Sequence, residues 1–166
     1  MIFSLKAFCD SDWGACPRCK KSISGFLVFL GHMPLSCKSK KQSTISLSSV
    51  EAEYRSTRRV TVELAWLSKL LHELTVKGIL QIPVHCDNQA SIYIAKTSVY
   101  HERTEHIELN CHFVSQKLLE GLISLFHTPT NQQLADILTK PLTGVQHSQI
   151  LSKLGVFARP PTRGGC

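Results

Sequence analysis

The sequence predicts an α/β domain with a mixed sheet flanked by helices, and three observations carry that expectation. Strand-type segments come first: Leu5–Asp10, Ser22–Leu30 and a stretch beginning at Leu35, joined by turn-rich connections. A long amphipathic helix follows. From Glu53 the residues Thr57, Val60, Leu64, Leu67, Leu71 and Leu74 recur at alternating spacings of four and three, which is one helix face. After it, short apolar strands alternate with helical segments. The order β-β-β-α-β-α-α-β-α reads as an antiparallel meander followed by crossovers to parallel strands.

Each element has its own signal. In the first strand Phe8 and Asp10 share one face by the period of two, and Asp12 continues that face. Ser22–Leu30 (SISGFLVFL) is rich in β-branched and aromatic residues, Gly31–Pro34 supplies the turn, and Leu35–Lys38 begins the return strand. Ser48-Ser49-Val50-Glu51 fits a capping box, with Ser48 as N-cap and Glu51 reaching back from the third helical position. The long helix is expected to end near Thr75, before Gly78. Ile82–Cys86 is a short apolar strand with Asp87 directly after it, and Asn88–Lys96 is a short helix. Tyr100–His106 is a polar loop, Ile107–Glu120 a helix stopped by Gly121, and Leu122–Phe126 a strand with His127 at its carboxyl end. Asn131–Lys140 is expected to form a helix after Pro129, and Gln146–Leu154 a last one. Residues 1–156 are expected to form one domain, with 157–166 a disordered basic tail rich in Pro and Gly.

Composition excludes several classes. A chain of 166 residues falls in the single-domain range and can bury a core without staples. At 43% hydrophobic residues it is not a disordered tail. It contains no run long and apolar enough for a membrane span and no secretory signal at its start. The seven cysteines are an odd number in a chain that needs no bridges, so a reducing compartment is expected and secretion is not. Against 19 Lys and Arg stand 12 Asp and Glu, a net charge of +7, which suggests a polyanionic partner. No acid occurs between Asp12 and Glu51, while Arg18, Lys20, Lys21, Lys38, Lys40 and Lys41 do. Acids at the edges of apolar segments therefore need a reason.

Four elements could bring such acids together. Asp10 ends the first strand and Asp87 follows the fourth; if those strands are neighbours, the two lie side by side beyond the strand ends, where open α/β sheets bind ligands. Strand phase does not separate Asp10 from Asp12. Glu51 and Glu53 are about 200° apart around a helix. Glu51 has the capping role, and Glu53 heads the apolar stripe and points toward the sheet. A carboxylate there is costly unless paired or bound to a cation. Asp136, between Ala135 and Ile137, shows the same pattern. Oxygen donors of this kind suit magnesium or manganese, and two such ions about 3.5–4 Å apart serve in-line displacement at phosphate.

Seven blocks, in order, resemble the ribonuclease H domain of copia-type LTR retrotransposon Pol polyproteins. They are Cys9–Trp13 (CDSDW), Lys21–Gly25 (KSISG), Ser39–Gln42 (SKKQ), Leu47–Tyr54 (LSSVEAEY), Cys86–Asn88 (CDN), His101–Thr104 (HERT) and Gln133–Leu142 (QLADILTKPL). The resemblance runs from about Leu5 to Val156. It implies an RNase H-like fold: a five-stranded mixed sheet with an antiparallel meander, two further parallel strands and flanking helices. It implies cleavage of the RNA strand of an RNA–DNA hybrid with two Mg²⁺ ions, for which Mn²⁺ can substitute. It places the metal-binding carboxylates at Asp10, Glu53, Asp87 and Asp136 and an assisting histidine at His127. It selects Asp10 over Asp12. Asp10 would bridge both ions, Glu53 and Asp87 would hold one, and Asp136 the other. Lys38, Lys40, Lys41 and Asn88 are the expected nucleic-acid contacts. The implied partner is a reverse transcriptase domain upstream in a parent polyprotein, and the implied location is cytoplasmic, in virus-like particles, or nuclear.

Other motifs carry blander readings. Cys16-Pro17-Arg18-Cys19 lacks the second pair a zinc site needs. His101 and His106 are five apart, not the four of a metalloprotease helix. Arg55, Arg58 and Arg59 read as a solvated helix face. Cys37 stands where the family commonly has Trp, which would cost packing if the position were buried. The alternative to an active nuclease is a decayed or truncated retrotransposon fragment that binds nucleic acid or a polymerase without cutting. The start of the chain, close to the first strand and with no polymerase before it, favours that alternative.

Overall fold

The protein was analysed as a computed structural model that describes residues 4–76, 78–79, 81–97 and 108–157. The expected loop Tyr100–His106, the block His101–Thr104 within it, and the tail from residue 158 lie outside the described residues. The meander comprises β1 (Leu5–Asp12), β2 (Ile23–Leu30) and β3 (Met33–Lys41). Next come α1 (Ser49–Glu73), β4 (Ile82–Cys86), α2 (Gln89–Thr97), α3 (Glu108–Leu119) and β5 (Ile123–His127). Two short 3-10 turns, Thr130–Gln132 and Leu134–Leu138, precede α4 (Gly144–Lys153).

The sheet order is β3-β2-β1-β4-β5. The meander pairs antiparallel, while β4 lies parallel to β1 and β5 parallel to β4. This is the five-stranded mixed sheet expected from the sequence. The crossover through α1 makes β4 a neighbour of β1, and that adjacency brings the ends of the two strands together. Alternation then sorts the side chains. Leu5, Ala7 and Cys9 of β1, Phe26 and Val28 of β2, Val84 and Cys86 of β4, and Ile123 and Leu125 of β5 share one core with Val60, Leu64 and Leu67 of α1. The helical stripe is buried from Glu53 to Leu67 and ends in solvent at Leu74, which is 62% exposed.

The start of α1 is fixed by its cap. The Ser48 side chain accepts from the Glu51 N–H, as a capping box requires. Glu51 reaches back one residue further than expected, accepting from the Leu47 N–H at 2.7 Å, and pairs with Arg55 at 2.7 Å. Within the turn before α1, Gln42 is buried. Its amide donates to Ser24 Oγ at 2.8 Å and to the Ala52 carbonyl at 3.0 Å, tying the end of β3 to the helix. Cys37 is exposed on the edge strand β3, so no packing is lost where the family resemblance put a Trp.

One expected element is corrected. Residues 131–140 do not form a helix but two short 3-10 turns with Gln133 extended between them, at φ −76° and ψ 102°. The physical reason is the Gln133 side chain. Its amide donates to the Cys9 carbonyl at 3.0 Å and the His85 carbonyl at 3.3 Å, which draws the backbone onto the ends of β1 and β4 and interrupts the helix.

Gly25 makes room for that segment. It pairs with Asp10 across β1 and β2, and a Cβ on it would stand 2.8 Å from Leu138 Cβ and from Thr139 Cγ2. Contacts that short force a shift of either the sheet or the turn. Gly25→Ala is expected to cost about 1–3 kcal/mol in chemical denaturation, the range for overpacking a close-packed contact. A variant within about 0.5 kcal/mol of the parent would show that the turn yields freely.

Candidate active site

Two neighbouring parallel strands and the first turns of α1 converge at one end of the sheet. Asp10 near the end of β1 is fully buried, Glu53 on α1 is 4% exposed, and Asp87, just past β4, is half-buried. One carboxylate oxygen from each of the three lies within 4.8 Å of the others. Ser56, one turn past Glu53, fixes the approach of α1: its hydroxyl donates to the Asp10 carbonyl at 2.7 Å. Glu53 Oε1 accepts from the Ser11 N–H at 2.7 Å, but its Oε2 is buried without a hydrogen-bond partner. A buried carboxylate oxygen without a hydrogen-bond partner, on a residue grouped with two other carboxylates, is expensive for a chain to keep without a cation.

Asp136, in the second 3-10 turn, is 5% exposed and joins this group through Lys140. The Lys140 ammonium lies 3.0 Å from Asp10 Oδ1, 3.0 Å from Asp136 Oδ1 and 3.8 Å from Asp87 Oδ2. Thr139 donates to the other Asp10 oxygen. Beneath the group the Cys9 and Cys86 sulfurs meet at 3.2 Å, with the Thr57 hydroxyl 3.6 Å from each.

Crowding sets the protonation. Burial, then the nearby Asp10 and Asp87 charges, push the Glu53 carboxyl well above its usual range. Burial and Asp10 also raise Asp87. Asp136 is pushed up to about 6 by burial and by Asp10, against the pull of Lys140. Burial works against the Lys140 ammonium, yet Asp10 and Asp136 together outweigh it and hold the lysine charged beyond its ordinary range.

The sequence-predicted residues therefore divide. Asp10, Glu53 and Asp87 come together directly, and Asp136 lies next to them across Lys140. Asp12, the alternative to Asp10, is only partly buried. His127, the last residue of β5, pairs in register with Cys86 and is exposed. Lys38, Lys40 and Lys41 are exposed on β3. Asn88 has a local role: its side chain accepts from the Ser91 N–H at 3.0 Å at the start of α2. Arg55, Arg58 and Arg59, with Gln42, Ser43 and Thr44, line a polar cleft of about 230 Å³. Sequence reasoning missed Gln133, Thr139 and Lys140. The only signal for them was their place in the Gln133–Leu142 block, of which Asp136 alone had a role.

The fold defines the class. A β3-β2-β1-β4-β5 sheet with carboxylates gathered at the ends of β1 and β4 is the ribonuclease H fold. LC11-RNase H1, solved in complex with an RNA/DNA hybrid, superposes with a TM-score of 0.59 at 14% identity, over 82% of this chain and 94% of that one. No family model matches the chain. The chain is 40% identical to the retrovirus-related Pol polyprotein from transposon RE2 of Arabidopsis thaliana, over 98% of its own length and 11% of the relative's. It is 38% identical to the corresponding polyprotein from transposon RE1 of the same plant, over 96% of its own length and again 11% of the relative's. The chain is homologous to a segment of the copia-type, retrovirus-related Pol polyproteins, and spans about a tenth of the length of the curated relatives it matches.

Proposed function

We propose that the chain is a metal-dependent ribonuclease that hydrolyses the RNA strand of an RNA–DNA hybrid. The observation that carries this reading is the cluster of Asp10, Glu53 and Asp87 oxygens within 4.8 Å, with Glu53 Oε2 buried and unpartnered. Three carboxylates of that kind fit Mg²⁺ or Mn²⁺. Such an ion, when bound, supplies an activated water and neutralises charge at the phosphate. The protein's own part is to hold Asp10, Glu53 and Asp87 at fixed strand and helix ends, against the core beneath them. The same chemistry with two ions would seat the second between Asp10 and Asp136, where Lys140 stands. His127, exposed beside Cys86, would assist proton transfer or product departure.

Substrate binding is assigned to the basic surface. Lys38, Lys40 and Lys41 on β3 and the arginine-lined cleft by α1 would hold backbone phosphates, and 2′-hydroxyls would mark the RNA strand. The LC11 enzyme's complex with an RNA/DNA hybrid supports that substrate class. Residues 1–156 are proposed as the nuclease domain, in the cytoplasm or nucleus, and a reverse transcriptase of the same polyprotein as its partner; the Pol relatives support the partner alone. Among the described residues no helix is long and apolar enough to cross a membrane.

Incubation with a labelled RNA–DNA hybrid and Mg²⁺ or Mn²⁺ tests the reading. The expected products are RNA fragments with the DNA strand intact. Absence of cleavage by folded protein across metal concentrations would favour the non-cutting fragment. Hybrid affinity is expected to fall steeply between 50 and 200 mM salt, by about 10³-fold if some six phosphates are contacted. A flat salt response would contradict the polyanion reading.

A further inference from the structure

We infer that Cys16 and Cys19 form a thiol–disulfide exchange site on the loop between β1 and β2, taking small disulfides of the glutathione class as substrate, and that closing the pair releases Lys41 to bind nucleic-acid phosphate. The exchange is independent of the nuclease reading above; the consequence for Lys41 rests on it.

The loop is built to hold one sulfur as an anion. Its feet are fixed by strand pairing, Asp12 with Ile23 across β1 and β2, and Ile23 with Lys41 across β2 and β3. That register sets the end of β3 beside the loop. The Lys20 N–H donates to the Cys16 carbonyl at 2.8 Å and the Cys16 N–H to the Lys21 carbonyl at 3.1 Å, with Lys20 at a φ of 53° closing the turn. Pro17 has a fixed φ and no N–H. The next two N–H groups, of Arg18 and Cys19, turn back onto the Cys16 sulfur, and the Cys19 thiol donates to it as well. From β3 the Lys41 ammonium donates to the same sulfur at 3.3 Å. Four donors on one partly exposed sulfur favour the thiolate, which is the nucleophile in exchange. The Cys19 hydrogen bonds, then Lys41 and the Arg18 N–H, draw the Cys16 thiol down to about 6. Among the described residues no third histidine, cysteine or carboxylate joins the pair, so it lacks the ligand set of a zinc centre.

The chemistry balances with the small disulfide as oxidant. The Cys16 thiolate attacks one of its sulfurs, a mixed disulfide forms, and one glutathione leaves as a thiolate. The Cys19 proton passes to that thiolate, the Cys19 sulfur attacks Cys16, and the second glutathione leaves and takes a proton from solvent. The dithiol gives up two electrons and the small disulfide becomes two thiols. The loop loses one negative charge, and the Lys41 ammonium loses its partner. Lys41 then joins Lys38 and Lys40 on β3 with its charge uncompensated.

Oxidised glutathione added to the full chain at neutral pH, with mass spectrometry and peptide mapping, tests the exchange. The expected product is lighter by two hydrogens, is bridged between Cys16 and Cys19, and forms faster than the exposed Cys37 acquires glutathione. Cys19→Ser is expected to stop at one glutathione on Cys16. Slower reaction at Cys16 than at Cys37, or Cys19→Ser left unmodified at Cys16, overturns the proposal. The isolated bridged form is then compared with the reduced form for affinity to an RNA–DNA hybrid across salt. Bridging is expected to steepen the plot of log affinity against log salt by about one, the slope of one added phosphate contact, and Cys16→Ser to show the steeper slope without oxidant. Equal slopes for the reduced and bridged parent overturn the release of Lys41. If neither form binds hybrid, the nuclease reading falls and the release of Lys41 with it, while the exchange stands or falls on the mapping.

Discussion

Asp10→Asn is expected to abolish hybrid cleavage while leaving the fold intact. Asp10 takes part in both halves of the site. It lies within 4.8 Å of Glu53 and Asp87 on one side and accepts from Lys140 and Thr139 on the other. The change removes one charge and one acceptor without changing volume. Electrostatic stabilisation by a bound metal is worth several kcal/mol, so a loss of about 4 kcal/mol, or about 10³-fold in rate, is the expected scale. The fold should survive because the isosteric amide keeps its place in β1, whose backbone pairs with β2 and β4 on either side. Labelled-hybrid assays and circular dichroism on the same preparation separate the two effects. Cleavage within about tenfold of the parent would remove Asp10 from the chemistry.

Glu53 governs a second large effect, on stability. Its carboxyl titrates well above its usual value in the folded chain, and Asp87 and Asp136 are raised too, Asp136 to about 6. A carboxyl raised on folding binds more protons in the folded than in the unfolded state, between its ordinary pKa and its folded one. Stability must then fall as pH rises through that window. Metal-free protein is therefore expected to lose stability from about pH 4.5 upward, relative to Glu53→Gln, which lacks the largest of these groups. A divalent ion at 100 times its Kd would restore about 2.7 kcal/mol, or roughly 5–10 °C in Tm for a chain of this size. Glu53→Gln is expected to melt higher than the metal-free parent at pH 7.5 and to respond far less to Mn²⁺. Melting curves from pH 5 to 8, with and without Mn²⁺, check both. Parallel pH profiles for parent and variant would show that Glu53 ionises without penalty.

Much of this was legible because period and charge are local properties. The stripe from Glu53 to Leu67 marked the buried face of α1, and it correctly turned Glu53 inward and Glu51 toward the cap. The apolar runs marked β2 and β4 within a residue of their observed limits. What failed was equally physical. Leu134, Ile137 and Leu138 carry a helical spacing, but the Gln133 amide finds two backbone carbonyls on β1 and β4, and that long-range contact overrides a local preference. Lys140 could not be read as part of the site, because its partners Asp10 and Asp87 lie far away in the chain and only Asp136 is near.

By itself the sequence determined the class of fold, the inward face of the long helix, and a list of candidate site acids. The helix face follows from residue spacing, the fold class from the order of elements, and the acids from their places at the edges of apolar segments together with the family resemblance. Only the tertiary structure decided that β4 lies beside β1, and so that Asp10 and Asp87 share a strand end. It buried Asp10 and left Asp12 at the rim, a separation that strand phase could not make. It alone placed an ammonium group among the carboxylates. Strand order and the closure of the 134–140 turn over Gly25 depend on which surfaces pack, and packing between distant segments leaves no periodic trace in the chain.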